Sequence, residues 1–177
     1  MSQTVAVRRV FSRRYAAVWA LALTAASAVA EPKAVSGYIE RVTLFPGGLN
    51  LRVKVDTGAK HSSLNAQQIR KFRKGSEDWV RFAVTNSKGR SVVFERPVLR
   101  RTTIRRHHGR KQERPVLTLG ICLGATYKEV EVNLVDRTGF NYQMLIGRSF
   151  LSGDFVVDVD KSFVLPPACP EPPAQGS

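Results

Sequence analysis

Cysteine and aromatic residues are scarce in this sequence of 177 residues, which has two Cys and 8% Phe, Trp and Tyr. Small proteins held together by disulfides need more cysteine, so that class is excluded. No uninterrupted apolar run reaches the length of a membrane span outside the N-terminal region, which excludes a protein with several transmembrane helices. An apolar content of 43% excludes an intrinsically disordered chain. The length suits one globular domain with its own core.

Acidic residues are also few, since 14 Asp+Glu face 28 Lys+Arg and leave a net charge of +14. Residues 1–14 contain four arginines and no acid, and residues 15–30 are apolar or small and end in Ala28-Val29-Ala30. This order is typical of a secretory signal peptide. Residues 1–30 therefore predict export to the periplasm or cell envelope. If the segment were not cleaved, it would be the one expected membrane contact.

The rest of the chain is dominated by short alternating segments of apolar and polar residues, which predict strands. One short helix is predicted over 63–71, and one helical turn over 149–153. Residues 31–165 thus predict a single all-β domain, a barrel or a sandwich, and the proline-rich residues 166–177 predict a disordered tail. The predicted strands are 38–45, 49–55, 79–84, 90–95, 98–106, 114–119, 128–135, 142–146, 154–159 and 161–165.

One carboxylate differs from the others in its surroundings. Asp56 follows the strictly alternating strand 49–55 and precedes Thr57, Gly58 and Ala59. Backbone N–H groups in such a small-residue loop can hold a carboxylate, and Gly58 permits approaches that a side chain would block. A tight Asx turn with no function is the alternative, since Asp-Thr-Gly forms one readily.

A second segment, Met144-Leu145-Ile146-Gly147-Arg148, ends a later predicted strand. Two apolar residues, Gly and Arg after a strand, downstream of Asp-Thr-Gly-Ala, resemble the two signatures of the retropepsin-like aspartic peptidases. More closely, the chain resembles the bacterial family labelled ATP-dependent zinc proteases, which is associated by name with RimK-type enzymes. The resembling residues are 54–66, 113–116, 144–148 and 155–158.

The resemblance implies a closed retropepsin-like β-barrel with a flap hairpin and one short helix. It implies an endopeptidase in which two aspartates share a proton and activate a water. The chain has one Asp-Thr-Gly, because an arginine interrupts Asp136-Arg137-Thr138-Gly139. The second aspartate would therefore come from a second copy in a homodimer.

The resemblance also assigns roles to residues. Asp56, Thr57 and Gly58 would be catalytic. Two hairpins are candidates for the flap, 86–89 and 107–110, and we favour the second. An acid commonly stands where this chain has Lys60 and pairs with the second-signature arginine, so that arginine is expected to find another partner or to contact substrate. The expected substrate-binding residues are Ala59, His107, His108, Gly109, Arg110, Ile146, Gly147 and Arg148.

The family label of zinc protease finds no motif in this sequence. There is no His-Glu-x-x-His, and the histidines are His61, His107 and His108. The Gly-x-x-x-x-Gly-Lys-Ser/Thr phosphate loop is also absent. We therefore expect neither a metal nor another cofactor, and a metal-dependent hydrolase is the weakest interpretation.

Residues 100–114 carry seven Lys or Arg and one Glu. This segment is interpreted as a solvated hairpin, as a selector of acidic peptides such as poly-glutamate tails, or as a site for an anionic polymer or membrane. Nucleic acid is not expected as a partner. The main functional alternative to a peptidase is a non-catalytic binding module that recruits an anionic partner through this hairpin.

The two cysteines, Cys122 and Cys169, lie in a predicted apolar strand and in the proline-rich tail. An exported protein can form disulfides. A bridge and a pair of free thiols are both compatible with the sequence.

Overall fold

The structure is a computed structural model, and it describes residues 32–105, 111–136, 139, 141–170 and 172. The predicted signal peptide, the tip of the favoured flap hairpin and the end of the tail lie outside the described residues. No helix among the described residues is long and apolar enough to cross a membrane.

Eleven strands and one short helix make up the described chain, so the all-β prediction is confirmed. In chain order they are β1 (Ala34–Phe45), β2 (Leu49–Val55), β3 (Ser62–Asn65), β4 (Gln67–Lys74), β5 (Glu77–Thr85), β6 (Ser91–Pro97), β7 (Arg100–Arg105), β8 (Lys111–Leu123), β9 (Thr126–Val135), β10 (Met144–Ile146), α1 (Arg148–Leu151) and β11 (Phe155–Ser162).

Six of these strands close into a barrel. The large sheet has the order β11-β1-β2-β10-β3-β9-β8-β7, and β1 also pairs with β8. Within the ring each of the six strands pairs with two neighbours, and β11 and β7 stand at the two ends of the described sheet. The side chains of β2 alternate between the inside of the barrel and solvent. Those that are buried are Leu49, Leu51, Val53 and Val55, and the residues between them are exposed. The barrel predicted from the family resemblance is confirmed.

A separate sheet of three strands, in the order β4-β5-β6, packs on the barrel. Its inner face contributes four residues of β5 and β6 to the main core (Val80, Phe82, Val84 and Phe94). The turn between β5 and β6 is tied to the end of the barrel, because Arg90 donates hydrogen bonds to the carbonyl oxygens of Gly47 and Gly48. The Asn86 side chain likewise donates to the Asn50 carbonyl oxygen.

The helix predicted over 63–71 is wrong. This segment forms β3 and β4, with a register irregularity between Gln67 and Arg70. Strand β3 lies between β9 and β10 and pairs with both. Two small buried residues, Ser62 and Ser63, fit this crowded position, so tertiary pairing overrides the local preference for helix.

The C-terminal part differs in detail from the prediction. The helical turn is present as α1, but the two predicted terminal strands form one continuous strand, β11. The proline-rich segment begins with defined contacts: a disulfide joins Cys169 to Cys122, and the Ala168 N–H donates to the Gly124 carbonyl oxygen at 2.7 Å. These contacts attach the segment to the turn between β8 and β9.

Candidate active site

Asp56 lies where two parallel strands end side by side. Strand β10 pairs with β2 so that Ile146 lies opposite Val55. The Asp56 N–H donates to the Ile146 carbonyl oxygen at 2.8 Å. This pairing brings the two sequence signatures, 90 positions apart, into one site.

Main-chain donors hold the Asp56 carboxylate. Its Oδ1 accepts hydrogen bonds from the N–H groups of Gly58 at 3.0 Å and Ala59 at 3.1 Å. The second oxygen, Oδ2, has no hydrogen-bond partner among the described residues. The Asx-type turn is therefore present, and it leaves one oxygen of a half-buried carboxylate free to meet water or another group.

Position 58 suits glycine because a larger residue there would crowd the Asp56 carboxylate. A Cβ at this position would lie 3.3 Å from Asp56 Oδ1, closer than an ordinary van der Waals contact. A side chain here would crowd the carboxylate oxygen that the Gly58 N–H binds. Thr57 and Gly58 are exposed, and Ala59 is half-buried.

Gly147 permits a close approach between the two signatures. A Cβ on this residue would lie 2.7 Å from the His61 carbonyl carbon and 3.0 Å from the Lys60 carbonyl oxygen. The Gly147 N–H also donates to Ser62 Oγ at 3.1 Å. The second signature is thus packed against the main chain that follows Asp56.

The structure shows which groups Arg148 binds, a question that the sequence left open. Its Nη1 donates to the carbonyl oxygens of Thr57 and Gly58, both at 2.8 Å. Its own N–H donates to the Ala59 carbonyl oxygen at 2.9 Å, and the Ser149 N–H donates to the Lys60 carbonyl oxygen at 2.9 Å. Arg148 therefore fixes the main chain of the Asp56 loop rather than pairing with an acid.

A charged cluster that sequence reasoning missed lies beside this loop. Arg100 on β7 donates to Glu131 Oε2 on β9 at 2.5 Å, and Glu131 Oε2 lies 3.6 Å from His61 Nδ1. The hydrogen bond from Arg100 and then its positive charge, with smaller contributions from His61 and Lys60, lower the pKa of the Glu131 carboxyl. No local motif marks these residues, since strand pairing alone brings them together.

A second polar chain connects β8 to the same segment. Arg114 Nη1 donates to Asn133 Oδ1 at 3.1 Å, and the nearly buried Asn133 Nδ2 donates to the Ser62 carbonyl oxygen at 2.8 Å. Arg114 belongs to the family-resembling segment 113–116. The sequence therefore marked this arginine, but not its path to residue 62.

The remaining predicted site residues have different positions. The Ile146 side chain is 0% exposed and belongs to the core, so its visible contribution to the site is its carbonyl oxygen. The favoured flap hairpin exists as β7 and β8, which pair up to Arg105 and Lys111. Its tip, His107, His108, Gly109 and Arg110, lies outside the described residues. The other hairpin, 86–89, belongs to the three-stranded sheet.

Within the described ranges, no group of three His, Cys, Asp or Glu side chains is placed to hold a metal ion. His61, the one described histidine, neighbours Arg100 and Glu131.

Curated relatives of this chain are named as ligases rather than as peptidases. A protein of Shewanella pealeana named "Probable alpha-L-glutamate ligase" is 36% identical over 118 residues, which are 65% of this chain and 26% of that protein. One of Desulfotalea psychrophila with the same name is 31% identical over 111 residues, or 61% of this chain and 24% of that protein. The chain thus spans about a quarter of the length of these relatives.

A solved structure supports the fold. The crystal structure of a protein with unknown function from Legionella pneumophila superimposes with a TM-score of 0.66 at 33% identity. The match covers 76% of this chain and 99% of that one. Residues 35–168 also match the model of a family described as RimB-like, the retropepsin-like aspartic endopeptidase RimB, and the chain belongs to that family.

Proposed function

We propose that this protein is an aspartic endopeptidase. The observation that carries the proposal is the Asp56 loop, whose carboxylate is held by two main-chain N–H groups. The loop itself is fixed by Arg148 and Gly147 of the second signature. A carboxylate with one oxygen fixed and the other open suits a group that must orient a water.

The reaction needs a second carboxylate, and we propose that a second copy of the chain supplies it. Two aspartates about 3 Å apart cannot both ionise, so they share one proton. The ionised one takes a proton from water, which attacks the scissile carbonyl carbon. The protonated one donates to the carbonyl oxygen, and no covalent bond to the enzyme forms. In the proposed dimer, Thr57 would hydrogen-bond across the interface and fix the two loops to each other.

We propose acidic peptides, with glutamate in an α-linked chain, as the substrate class. Lys60 is exposed and adjoins the Asp56 loop, so the local charge favours carboxylates. The name of the relatives, glutamate ligase, supports the same chemistry, although it describes proteins of which this chain matches a quarter. Export to the periplasm or envelope, from residues 1–30, is part of the proposal.

The test is peptide cleavage over about pH 3–8, where a coupled carboxylate pair titrates. The substrates are an α-linked oligo-glutamate peptide and a glutamine peptide of equal length, each with a fluorophore and quencher. Wild type is compared with Asp56→Asn, with a chelator and with an aspartic-protease transition-state mimic. Thermal unfolding of both proteins controls for folding.

Cleavage that is lost in Asp56→Asn, blocked by the mimic and unaffected by chelator is the expected result. Preference for the glutamate peptide supports the substrate class, and equal cleavage of both peptides refutes that part alone. Loss of activity with the chelator would favour a metal-dependent hydrolase. A folded protein that cleaves neither peptide at any pH would favour the non-catalytic binding module.

A further inference from the structure

Three cations lie together on the outer face of β1 and β2. Arg41 and Arg52 are directly opposite each other in the antiparallel pairing, and Lys54 lies two residues along on the same face. All three residues are exposed. Among the described residues, no carboxylate lies within ion-pair distance of any of them. Like charges placed opposite each other destabilise a sheet, and here no ion pair offsets that cost.

Aromatic rings accompany these cations. The Arg41 guanidinium carbon lies 4.3 Å from the centroid of the Phe163 ring, and that of Arg52 lies 5.8 Å from it. Arg52 is also 5.2 Å from the centroid of the Tyr142 ring. Cation–π contacts of this kind attract the guanidinium groups without neutralising their charge. The face therefore presents net positive charge beside aromatic surface.

A strained turn places Phe163 in this position. Its φ is +58°, in the left-handed region that residues with a side chain rarely adopt. The Phe163 N–H donates to the Ile39 carbonyl oxygen, and the next two N–H groups donate to the carboxylate of Glu40, which is 0% exposed. The fold thus fixes a costly backbone conformation that keeps Phe163 and Val164 at the surface. Strain fixed by several contacts points to a functional surface.

Exposed apolar residues are concentrated in the same part of the chain. Six of the nine large apolar residues that are exposed among the described residues lie on β1, on β11 or in the turn after β11. They are Val35, Tyr38, Val156, Val159, Phe163 and Val164. Of these six, Phe163 lies against the cations themselves, and a soluble acidic partner that used the cations would leave its ring in water. A bilayer uses both, because headgroup phosphates bind cations while aromatic and aliphatic side chains enter the interface.

We propose that this face, defined by Arg41, Arg52, Lys54, Tyr142 and Phe163, docks the protein on membranes of anionic phospholipid. The outer face of the three-stranded sheet offers a contrast, since Lys74 and Arg81 there both pair with Glu95. Lys74 and Lys128 also lie over aromatic rings, but both are ion-paired, so the docking face is distinguished by unpaired cations that lie against aromatic rings. The inference does not depend on the proposed peptidase.

The experiment measures binding of the full chain to vesicles by sedimentation. Vesicles of phosphatidylcholine containing about one third phosphatidylglycerol are compared with pure phosphatidylcholine. The first variant changes Arg41, Arg52 and Lys54 to Gln. Its control changes Arg70, Arg73 and Lys88 to Gln, which removes the same charges from the three-stranded sheet and its turn. Every protein carries the same residues 1–30, so any contribution of that segment cancels.

Wild type should bind the anionic vesicles and lose affinity as salt is raised. The Arg41, Arg52 and Lys54 variant should bind on the order of 100-fold more weakly, from about fivefold per cation near an anionic surface. The control variant should lose less than tenfold. Phe163→Asn, which tolerates the left-handed conformation but removes the ring, should weaken binding roughly fivefold. Asp56→Asn should bind as wild type does.

Equal losses in the two triple variants would overturn the proposal, because total charge would then explain the binding. So would the absence of binding to anionic vesicles. If the first triple variant instead loses affinity for soluble oligo-glutamate alone, the partner is an acidic polypeptide and the membrane is refuted. If the sedimentation coefficient of the first triple variant falls to that of a smaller species while its vesicle binding is unchanged, the face joins two copies of the chain. Thermal unfolding identifies any variant that fails to fold.

Discussion

Replacing Gly147 by Ala tests whether the two signatures must touch. The added Cβ would lie 2.7 Å and 2.8 Å from the carbonyl carbon and oxygen of His61 and 3.0 Å from the Lys60 carbonyl oxygen. All three neighbours are main-chain atoms, so no side chain can rotate away. Relief requires separating α1 and its preceding residue from the Asp56 loop, where Arg148 and Ser149 donate to that loop.

The expected cost is at the upper end of overpacking, about 3 kcal/mol in the free energy of unfolding. For a folded unit of this size, that corresponds to a fall in Tm of about 10 °C. Thermal and chemical unfolding followed by circular dichroism measure both quantities. Peptidase activity should fall further than stability explains, because the loop carbonyls that Arg148 binds would move with the Asp56 carboxylate.

Ser149→Ala is the matched control, since Ser149 is an exposed neighbour that contributes its N–H to the loop. It should change stability by less than about 0.5 kcal/mol. A Gly147→Ala protein that unfolds within about 1 kcal/mol of wild type would refute the argument. The approach of the two segments would then be a relaxed contact rather than a requirement.

Three further changes test other parts of the fold. Replacing Cys122 and Cys169 by Ser should lower the free energy of unfolding by about 4 kcal/mol, because their bridge closes a loop with a sequence separation of 47. Glu131→Gln should flatten the acid side of the stability profile: Arg100 lowers the pKa of Glu131, so its contribution is present above the ordinary value of 4.5 and is lost as pH falls through the lowered one. Arg148→Met should reduce the rate of peptide cleavage at least 100-fold while the barrel stays folded, because two loop carbonyl oxygens lose their donor.

Each of these changes has an outcome that contradicts it. Reduction of the wild-type protein with no change in unfolding would show that the bridge does not constrain the chain. A Glu131→Gln profile parallel to that of wild type between pH 3 and 5 would mean that its pKa is not lowered in the native state. Full activity in Arg148→Met would show that the loop holds its shape without the guanidinium group. Gel filtration distinguishes each loss from aggregation.

Strand positions followed from the sequence wherever one face of a strand is buried. Strand β2 was predicted with its observed bounds because Leu49, Leu51, Val53 and Val55 alternate with exposed polar residues. The helix prediction for residues 63–71 was wrong because this segment lacks such an alternation of buried and exposed residues. Its first part, β3, is buried between two neighbours, and its second part, β4, is mostly exposed, so neither shows a clean period of two. Pairing partners distant in sequence decide such segments.

The candidate site was predicted in part. Asp-Thr-Gly and the later Gly-Arg identified the two segments, and the topology brings them together through β2 and β10. The charged cluster of Arg100, Glu131 and His61 was not predicted, because it is assembled across β7, β9 and the end of the Asp56 loop. Nor was the bond between the cysteines predicted, since two spaced thiols carry no geometric information until the tail is placed.

The contacts that position Asp56 are made almost entirely by main-chain atoms of residues 57 to 61. Arg148 and Ser149 donate hydrogen bonds to carbonyl oxygens of these residues, and Gly147 lies close to the carbonyl group of His61. Two N–H groups of the same segment donate to the Asp56 carboxylate. The side chains of Lys60 and His61 take no part in these bonds. Evolution can therefore exchange residues at these two positions, and with them the charge beside the carboxylate, without altering the scaffold. For the proposed peptidase, substrate selectivity and the geometry of Asp56 would therefore be separable traits, and drift in one would leave the other intact.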